Sequence, residues 1–249
     1  MGEERRMSKI EWEIRAQNYD KLEWTNRDKY MGTLLKICNL KSNFYVCDIG
    51  TGTGIIAHAL SQYCKKVEAI DMSEAMLQIA KTKRRTNNIS YKLINAENME
   101  FDSEIFDCVT ARMCFHHITH QDKAMKECVR VLKPGGKFVI SEGIPPQGTR
   151  KFFTEMFRLK EKRRTYTIDD LVELLEHDGL MQITIEVHKM PSVSINNWLA
   201  NSGLDKATCK NIYDMHVDCE EYVKRAYNMV MLDGDIFMDW VIAILSGVK

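Results

Sequence analysis

Neither sign of charge predominates in this chain. Its 249 residues carry 35 Lys and Arg against 35 Asp and Glu, so there is no global pull toward nucleic acid or anionic membrane. No apolar run approaches the ~20 residues that a membrane-spanning helix requires. Prolines number only four, and neither a repeat nor a low-complexity stretch occurs, which leaves no repeat architecture to consider. Eight cysteines stand at positions 38, 47, 64, 108, 114, 128, 209 and 219, none of them in a C-x-x-C pair. Most lie in apolar segments, where a free thiol behaves as a small hydrophobe. The expectation is reduced core thiols in a cytoplasmic protein, with no metal site. The opening "MGEERRMSK" has no apolar h-region and Arg6 breaks the myristoylation pattern, so neither a secretory signal nor a lipid anchor is expected.

What is present is alternation. After a charged leader over residues 1–10, residues 11–40 carry two helical patterns broken near "YDKLEWTN". Strands are expected at 45–49, 66–70, 89–94, 106–111 and 136–141, with helices between them. Ser73 and Thr119 are placed to cap two of those helices, and "KPGG" (133–136) to end the second. Such alternation implies a parallel sheet with helices on both faces. Residues 142–166 read as loop, with Pro145, Pro146 and the basic stretch "RLKEKRR". "TIDD" (167–170) is a capping box into a helix that Gly179 stops. A sixth strand is expected at 181–190 and a seventh at 236–245, with a helical insertion at 192–233 in which Tyr222, Val223, Ala226, Tyr227 and Val230 share a face.

The chemistry begins at "VCDIGTGTGII" (46–56), where Gly50, Gly52 and Gly54 follow a strand. No Lys follows the glycines, so this is not a phosphate-binding P-loop. Ile55 stands where the dinucleotide fingerprint needs its third glycine, and Asp48 would repel a pyrophosphate. A cationic ligand suits Asp48 better. D-x-G-x-G-x-G resembles the first motif of the class I S-adenosylmethionine (SAM)-dependent methyltransferases. Five further stretches agree with that family in order: "VEAIDMSEAML" (67–77), "NAENMEF" (95–101), "FDCVTARMCFHHI" (106–118), "RVLKPGGKFVISE" (130–142) and, before the loop, "AQNYD" (16–20). The resemblance spans residues 14–145 and is nearest to the ubiquinone/menaquinone-biosynthesis type of C-methyltransferase, the methyltransferase type 11 domain.

The resemblance implies a Rossmann-like sheet of seven strands, six parallel and the seventh antiparallel. The SAM-binding domain would comprise residues 11–190 and 234–249, with 192–233 inserted as a substrate cap. Gly50, Thr51, Gly52 and Gly54 would admit the methionine part of SAM, with Asp48 offsetting its ammonium. Asp71 would hold the ribose, Met72 would lie on the adenine face, and Asn95, Ala96 and Glu97 would line the adenine edge. Many relatives carry Asp where this chain has Asn95. Tyr19 resembles a lid tyrosine reaching the SAM carboxylate; the alternative is a core tyrosine at a helix end. Arg112 lies near the transferred methyl by resemblance, or else orients the lid through a salt bridge. His116, His117 and Glu142 are candidates for taking up a proton, although the second of two such histidines commonly packs against the following helix.

The acceptor pocket is expected from 11–32, 142–166 and 192–233, the last carrying Trp198, Tyr213, His216, Tyr222 and Tyr227, which read either as core or as substrate box. The expected acceptor is a small molecule. The alternatives are RNA, approached through "KTKRRTNN" (81–88) and "RLKEKRR" (158–164), or no reaction at all in a SAM-binding module. The first basic cluster reads as a solvated helix end. No [DN]-P-P-[YFW] motif follows the fourth strand and no Pro-Cys dipeptide occurs, which argues against adenine-N6 and cytosine-C5 transfer.

Overall fold

In a computed structural model describing residues 9–249, one sheet runs through the molecule in the order β3-β2-β1-β4-β5-β8-β6. Its strands are β1 (Tyr45–Ile49), β2 (Lys66–Asp71), β3 (Ile89–Leu93), β4 (Phe106–Arg112), β5 (Leu132–Ile144), β6 (Met181–Ser194), β7 (Val230–Leu232) and β8 (Asp235–Val248). The first five are parallel, and β8 runs antiparallel to both β5 and β6. Seven strands, six in the main order and β7 beside β8, therefore point one way and β8 the other. The strand count exceeds expectation by one, because β7 pairs with β8 across Asp233–Gly234. Both turn residues have positive φ, 50° and 75°, the backbone of a two-residue hairpin turn that Asp-Gly favours.

Helices α1 (Lys9–Asn18), α2 (Asp28–Cys38), α3 (Ile55–Ser61), α4 (Glu74–Lys83), α5 (Gln121–Val131), α6 (Arg150–Lys160), α7 (Ile168–His177), α8 (Ile195–Ala200), α9 (Lys206–Val217) and α10 (Glu221–Ala226) surround the sheet. Two apolar clusters sandwich it. One holds Tyr30 and Leu34 of α2, Ile56 and Leu60 of α3, and the inserted helices; the other holds Met125 and Cys128 of α5 and Leu171 and Leu175 of α7. Local sequence sets several boundaries. Ser73 Oγ accepts from Met76 N to start α4, and the Thr167–Asp170 capping box starts α7 with both reciprocal bonds.

Several expectations are corrected. The charged leader falls on residues 1–8, outside the described residues, except that Lys9 and Ile10 already belong to α1. Thr119 does not cap α5: His120 holds that position with no side-chain bond, while Glu97 Oε1 accepts the His120 N–H. "KPGG" lies within β5, where the register against β4 shifts. The stretch 142–166 is not loop throughout, because α6 buries Phe152, Phe153, Met156 and Lys160 at helical spacing. In the insertion Val223 and Tyr227 turn inward, whereas Tyr222 is exposed and Val230 sits in β7, exposed as well.

Strand order reverses between β1 and β4, both of which end at the same edge of the sheet. Open α/β sheets bind ligands outside the carboxyl ends of their strands at this switch point.

Candidate active site

The glycine loop leaves β1 at that point, and its three glycines have positive φ of 60°, 55° and 83°. They serve two different purposes. A Cβ on Gly50 would lie 2.4 Å from Cys114 Cβ, and one on Gly54 would lie 2.8 Å from the Tyr91 hydroxyl. Those two glycines let the loop pack against protein rather than ligand. Only at Gly52 would a Cβ meet no atom within 4 Å, so the ligand-facing role expected of all three narrows to Gly52.

Asp71, at the end of β2, braces this loop. Its Oδ2 accepts from Gly52 N and its Oδ1 from Ser73 N, each at 2.8 Å. Burial pushes its carboxyl up, opposed by the Ser73 and Gly52 N–H groups. Asp48 is buried at the end of β1, where Oδ1 accepts from the Thr110 hydroxyl at 2.7 Å. Its Oδ2, like the neighbouring Thr51 Oγ1, is buried with no hydrogen-bond partner. Burial pushes Asp48 up to about 6, against the nearby Thr51 and Thr110 hydroxyls and Arg112. Two orphaned acceptor atoms beside an open space at Gly52 fit a small cationic group such as an α-ammonium.

Met72 is 69% exposed next to that loop. Asn95 Oδ1 accepts from Glu97 N, which commits it to its own turn, and Ala96 is buried. Tyr19 follows α1 with its ring edge-on to Trp24 at 6.0 Å. Its neighbour Asp20 holds this segment down: it accepts from Thr53 Oγ1 of the glycine loop at 2.6 Å and from Lys83 and Arg84 at 3.0 Å. Arg84 also donates to Thr53 O at 2.8 Å. The basic cluster 81–88, read from sequence as a solvated helix end, thus ties the N-terminal segment to the glycine loop.

Arg112 does not form the salt bridge that was one of its two expected roles. Its Nη2 donates to Thr25 O at 2.9 Å, and its guanidinium lies over the rings of Trp24 and Tyr30 at 5.0 and 5.2 Å. His116 Nδ1 meets Glu142 Oε2 at 2.5 Å, with both side chains buried. Burial, and then Arg163, depresses the His116 imidazole well below its usual range. Burial pushes Glu142 up to about 7. Burial thus disfavours the charged form of both partners. His117 stacks near His116 and edge-on to Trp12, and burial, then His116, depresses its pKa well below the usual range.

Next to this pair lies a pocket. Its walls are mostly aromatic and thioether, among them Trp24, Phe157, Trp198, Tyr227 and Trp240. Met113 and His116 line it as well. Met113 has a φ of 52°, a conformation that costs a non-glycine residue about 1–2 kcal/mol; its N–H is bonded to Ser141 O. Arg15, Lys160, Glu161 and Arg163 line the pocket beside His116, and Glu161 is ion-paired to Arg15 at 2.8 Å and to Lys160 at 2.7 Å. Burial raises the Glu161 carboxyl, but Lys160 and Arg15 overcome this and hold it well below its usual range. Burial pushes Lys160 down to about 7. His116, His117 and Glu161 bring potential ligand atoms within 4.8 Å of one another. The cations already paired to Glu161, with Arg163 beside them, oppose a metal ion there.

Of the expected insertion aromatics, Trp198 and Tyr227 line the pocket. His216 is buried, bonded to Ile212 O, Tyr213 reaches Gly234 O, and Tyr222 is exposed. Arg15, Trp24 and the α6 residues fall in the segments 11–32 and 142–166 expected to contribute to the acceptor pocket, although they were not singled out, and the helical spacing in "KFFTEMFRLK" was the available signal; Met113 and Trp240 lie outside the expected segments.

Residues 47–140 match the family model described as a methyltransferase domain. The chain is 30% identical over 164 residues to the ubiquinone/menaquinone biosynthesis C-methyltransferase UbiE of Zymomonas mobilis, spanning 64% of this chain and 66% of that one. The chain belongs to the SAM-dependent methyltransferases. It is also 24% identical over 180 residues to the uncharacterized methyltransferase YcgJ of Bacillus subtilis, 70% of this chain and 71% of that one. The crystal structure of YcgJ superposes with a TM-score of 0.81 at 20% identity, covering 90% of this chain and 99% of that one. A phosphoethanolamine N-methyltransferase 2 from Haemonchus contortus, in complex with phosphomonomethylethanolamine and S-adenosylhomocysteine, shares the fold at a TM-score of 0.68 and 20% identity, covering 98% of this chain and 60% of that one. This methyltransferase takes SAM as its cofactor, and no helix among its described residues is long and apolar enough to cross a membrane.

Proposed function

We propose that this methyltransferase transfers a methyl group to a small, largely apolar acceptor held in the aromatic pocket. The observation that carries this reading is the pocket itself. It is lined by residues of the insertion and α6 together with His116 and Met113, which follow the carboxyl end of β4. An aromatic-lined slot favours a compact organic molecule over a polynucleotide backbone. In each basic cluster that could have met RNA one residue is engaged within the protein, Arg84 on Asp20 and Lys160 on Glu161. The eight cysteines are unpaired, in keeping with a reducing, cytoplasmic setting.

Bound SAM supplies an electrophilic methyl on a sulfonium. Around it, Asp48 Oδ2 and Thr51 Oγ1 would receive the ammonium, Gly52 would allow close backbone approach, and Asp71 would exchange a loop contact for the ribose hydroxyls. Met72 would cover the adenine, with Asn95, Ala96 and Glu97 along its edge. Tyr19 would close the cofactor side of the pocket under the Asp20 tether. Arg112 would position the lid through Thr25 O and Trp24 rather than touch the acceptor. His116 Nε2, backed by Glu142 at Nδ1, would take the proton from the acceptor, and His117 would support its ring. Aromatic walls would exclude water and align the acceptor. The insertion would then be a substrate cap.

The test uses SAM labelled with tritium in its methyl group, incubated with the protein and either a deproteinised metabolite extract or total RNA. Label is expected in the low-molecular-weight fraction. Label confined to RNA overturns the reading.

A further inference from the structure

Beside His116 the pocket carries a cation that forms no ion pair among the described residues. Arg15 and Lys160 are both paired to Glu161, and Glu142 is engaged by the ring and the N–H of His116. Arg163 has no carboxylate within ion-pair distance among the described residues. Its guanidinium stacks on the Phe157 ring, 3.9 Å from the centroid, and lies 5.7 Å from that of Phe153. Its Nε and Nη2 are buried without a hydrogen-bond partner. Those two nitrogens form one edge of the guanidinium, and their N–H bonds run nearly parallel. This is the fork that meets the two oxygens of a carboxylate. Buried donors of a charged group are costly to leave unmade, and two on one edge of a residue lining an apolar cavity call for a planar anionic partner.

We propose that Arg163 anchors a carboxylate of the acceptor, so that the substrates of this methyltransferase are apolar organic acids. The body of the acid lies among Trp24, Trp198, Trp240 and Met156, and its carboxylate sits on the Arg163 fork. Glu161 and Glu142 stand nearby, and a single fork is all that is on offer. A phosphate brings more charge and a third oxygen in need of donors, which makes a monoanionic carboxylate the better fit. The inference rests on the small-molecule reading given above and names its substrate class.

The test is calorimetric titration of the protein loaded with S-adenosylhomocysteine, using biphenyl-4-carboxylate and its neutral, near-isosteric partner biphenyl-4-carboxamide. The acid is expected to bind at least tenfold more tightly than the amide. Arg163→Met should remove that preference, and Arg163→Lys should keep only part of it, because a point charge replaces the fork. S-adenosylhomocysteine affinity should stay within threefold in both variants, which also certifies that they are folded. Equal affinities in the unmodified protein overturn the proposal without needing any variant. So does binding of neither probe, a preference that survives Arg163→Met, or tighter binding of biphenyl-4-phosphonate than of the carboxylate. The tritium experiment separates the two levels: label in a neutral small molecule defeats the carboxylate anchor and spares the small-molecule reading, whereas label in RNA alone defeats both.

Discussion

At the scale of single residues, the glycine loop makes opposite predictions for adjacent glycines. Gly50→Ala would push a Cβ to 2.4 Å from Cys114 Cβ at a φ of +60°. It should unfold the protein or lower its melting temperature sharply, since that contact is with a packed side chain close to its own backbone. Gly52→Ala meets open space and bears only the backbone cost of about 1–2 kcal/mol. It should melt within several degrees of the parent yet bind SAM at least tenfold more weakly; normal SAM binding by that variant would mean that the loop does not cradle the cofactor. The Glu142–His116 pair makes a pH prediction. Glu142 is raised to about 7 from its ordinary 4.5, so the proton it keeps favours the folded state at low pH, and that contribution is lost as pH rises through 7. Above about 7 the carboxylate can support His116 as a base. Turnover of a proton-releasing acceptor should rise through pH 7 in the parent, whereas Glu142→Gln should be 10²–10⁴-fold slower and flat. The same variant should melt no lower than the parent at pH 8. Turnover of Glu142→Gln at the parental rate with the parental profile would remove the pair from the reaction. The candidate residues on the strand ends were legible in the sequence, because their motif is local and its spacing sets the backbone. The partners of Arg112 were not: Thr25 lies 87 residues away, and no short-range pattern encodes such a contact.

At the scale of elements, the short helix carrying Tyr19 and Asp20 is fastened to the glycine loop and to α4 by one carboxylate. Asp20 is depressed below its usual range: burial raises it, but Thr53, Lys83 and Arg84 outweigh that. Lys83 is about half exposed, so its share of the tether is screened by solvent. The Thr53 and Arg84 contacts are better covered and carry most of it. Asp20→Ala should leave the melting temperature within a few degrees and speed release of S-adenosylhomocysteine several-fold in stopped-flow displacement, with the effect of added salt on release reduced. An unchanged release rate would show that the segment opens independently of this tether. Strands, α5 and the α7 capping box could be read from the sequence because alternation and capping are short-range signals. α6 could not be, because Pro145 and Pro146 and the run of charges at its end outweighed its four inward positions. Lys160, read as part of a basic surface, is instead one of those positions. β7 was lost for a related reason: three exposed apolar residues after a helical run continue a helical pattern until the Asp-Gly turn is given its weight.

At the scale of the whole molecule, most of the proposed cofactor contacts and most of the proposed acceptor walls come from different parts of the chain. The glycine loop, Asp48 and Asp71 lie before residue 72, while Phe153, Trp198, Tyr227 and Trp240 come from α6, the insertion and β8. Tyr227 is buried, with its ring 5.9 Å from that of Phe152, so it is both wall and packing. Tyr227→Ala should lose about 3–5 kcal/mol of stability, and at a temperature where the variant remains folded it should still bind SAM within threefold while its acceptor KM rises. A SAM affinity that falls in step with acceptor binding would tie the two halves together. This division was only half visible from sequence, since the cofactor half follows one contiguous pattern whereas the acceptor half is assembled from segments that meet only in the fold. One feature of the sheet carries this division into the history of the molecule. β8 fills the slot between β5 and β6 and pairs with β5 residues about 100 positions earlier, and pairings of such long separation close slowly. Amides of β1 and β2 should gain protection in pulse-labelled refolding before those of β6. Met238, Trp240 and Ile242 arrive with β8, so a chain still on its way to the native state can hold its methyl donor before it has anywhere to send the methyl.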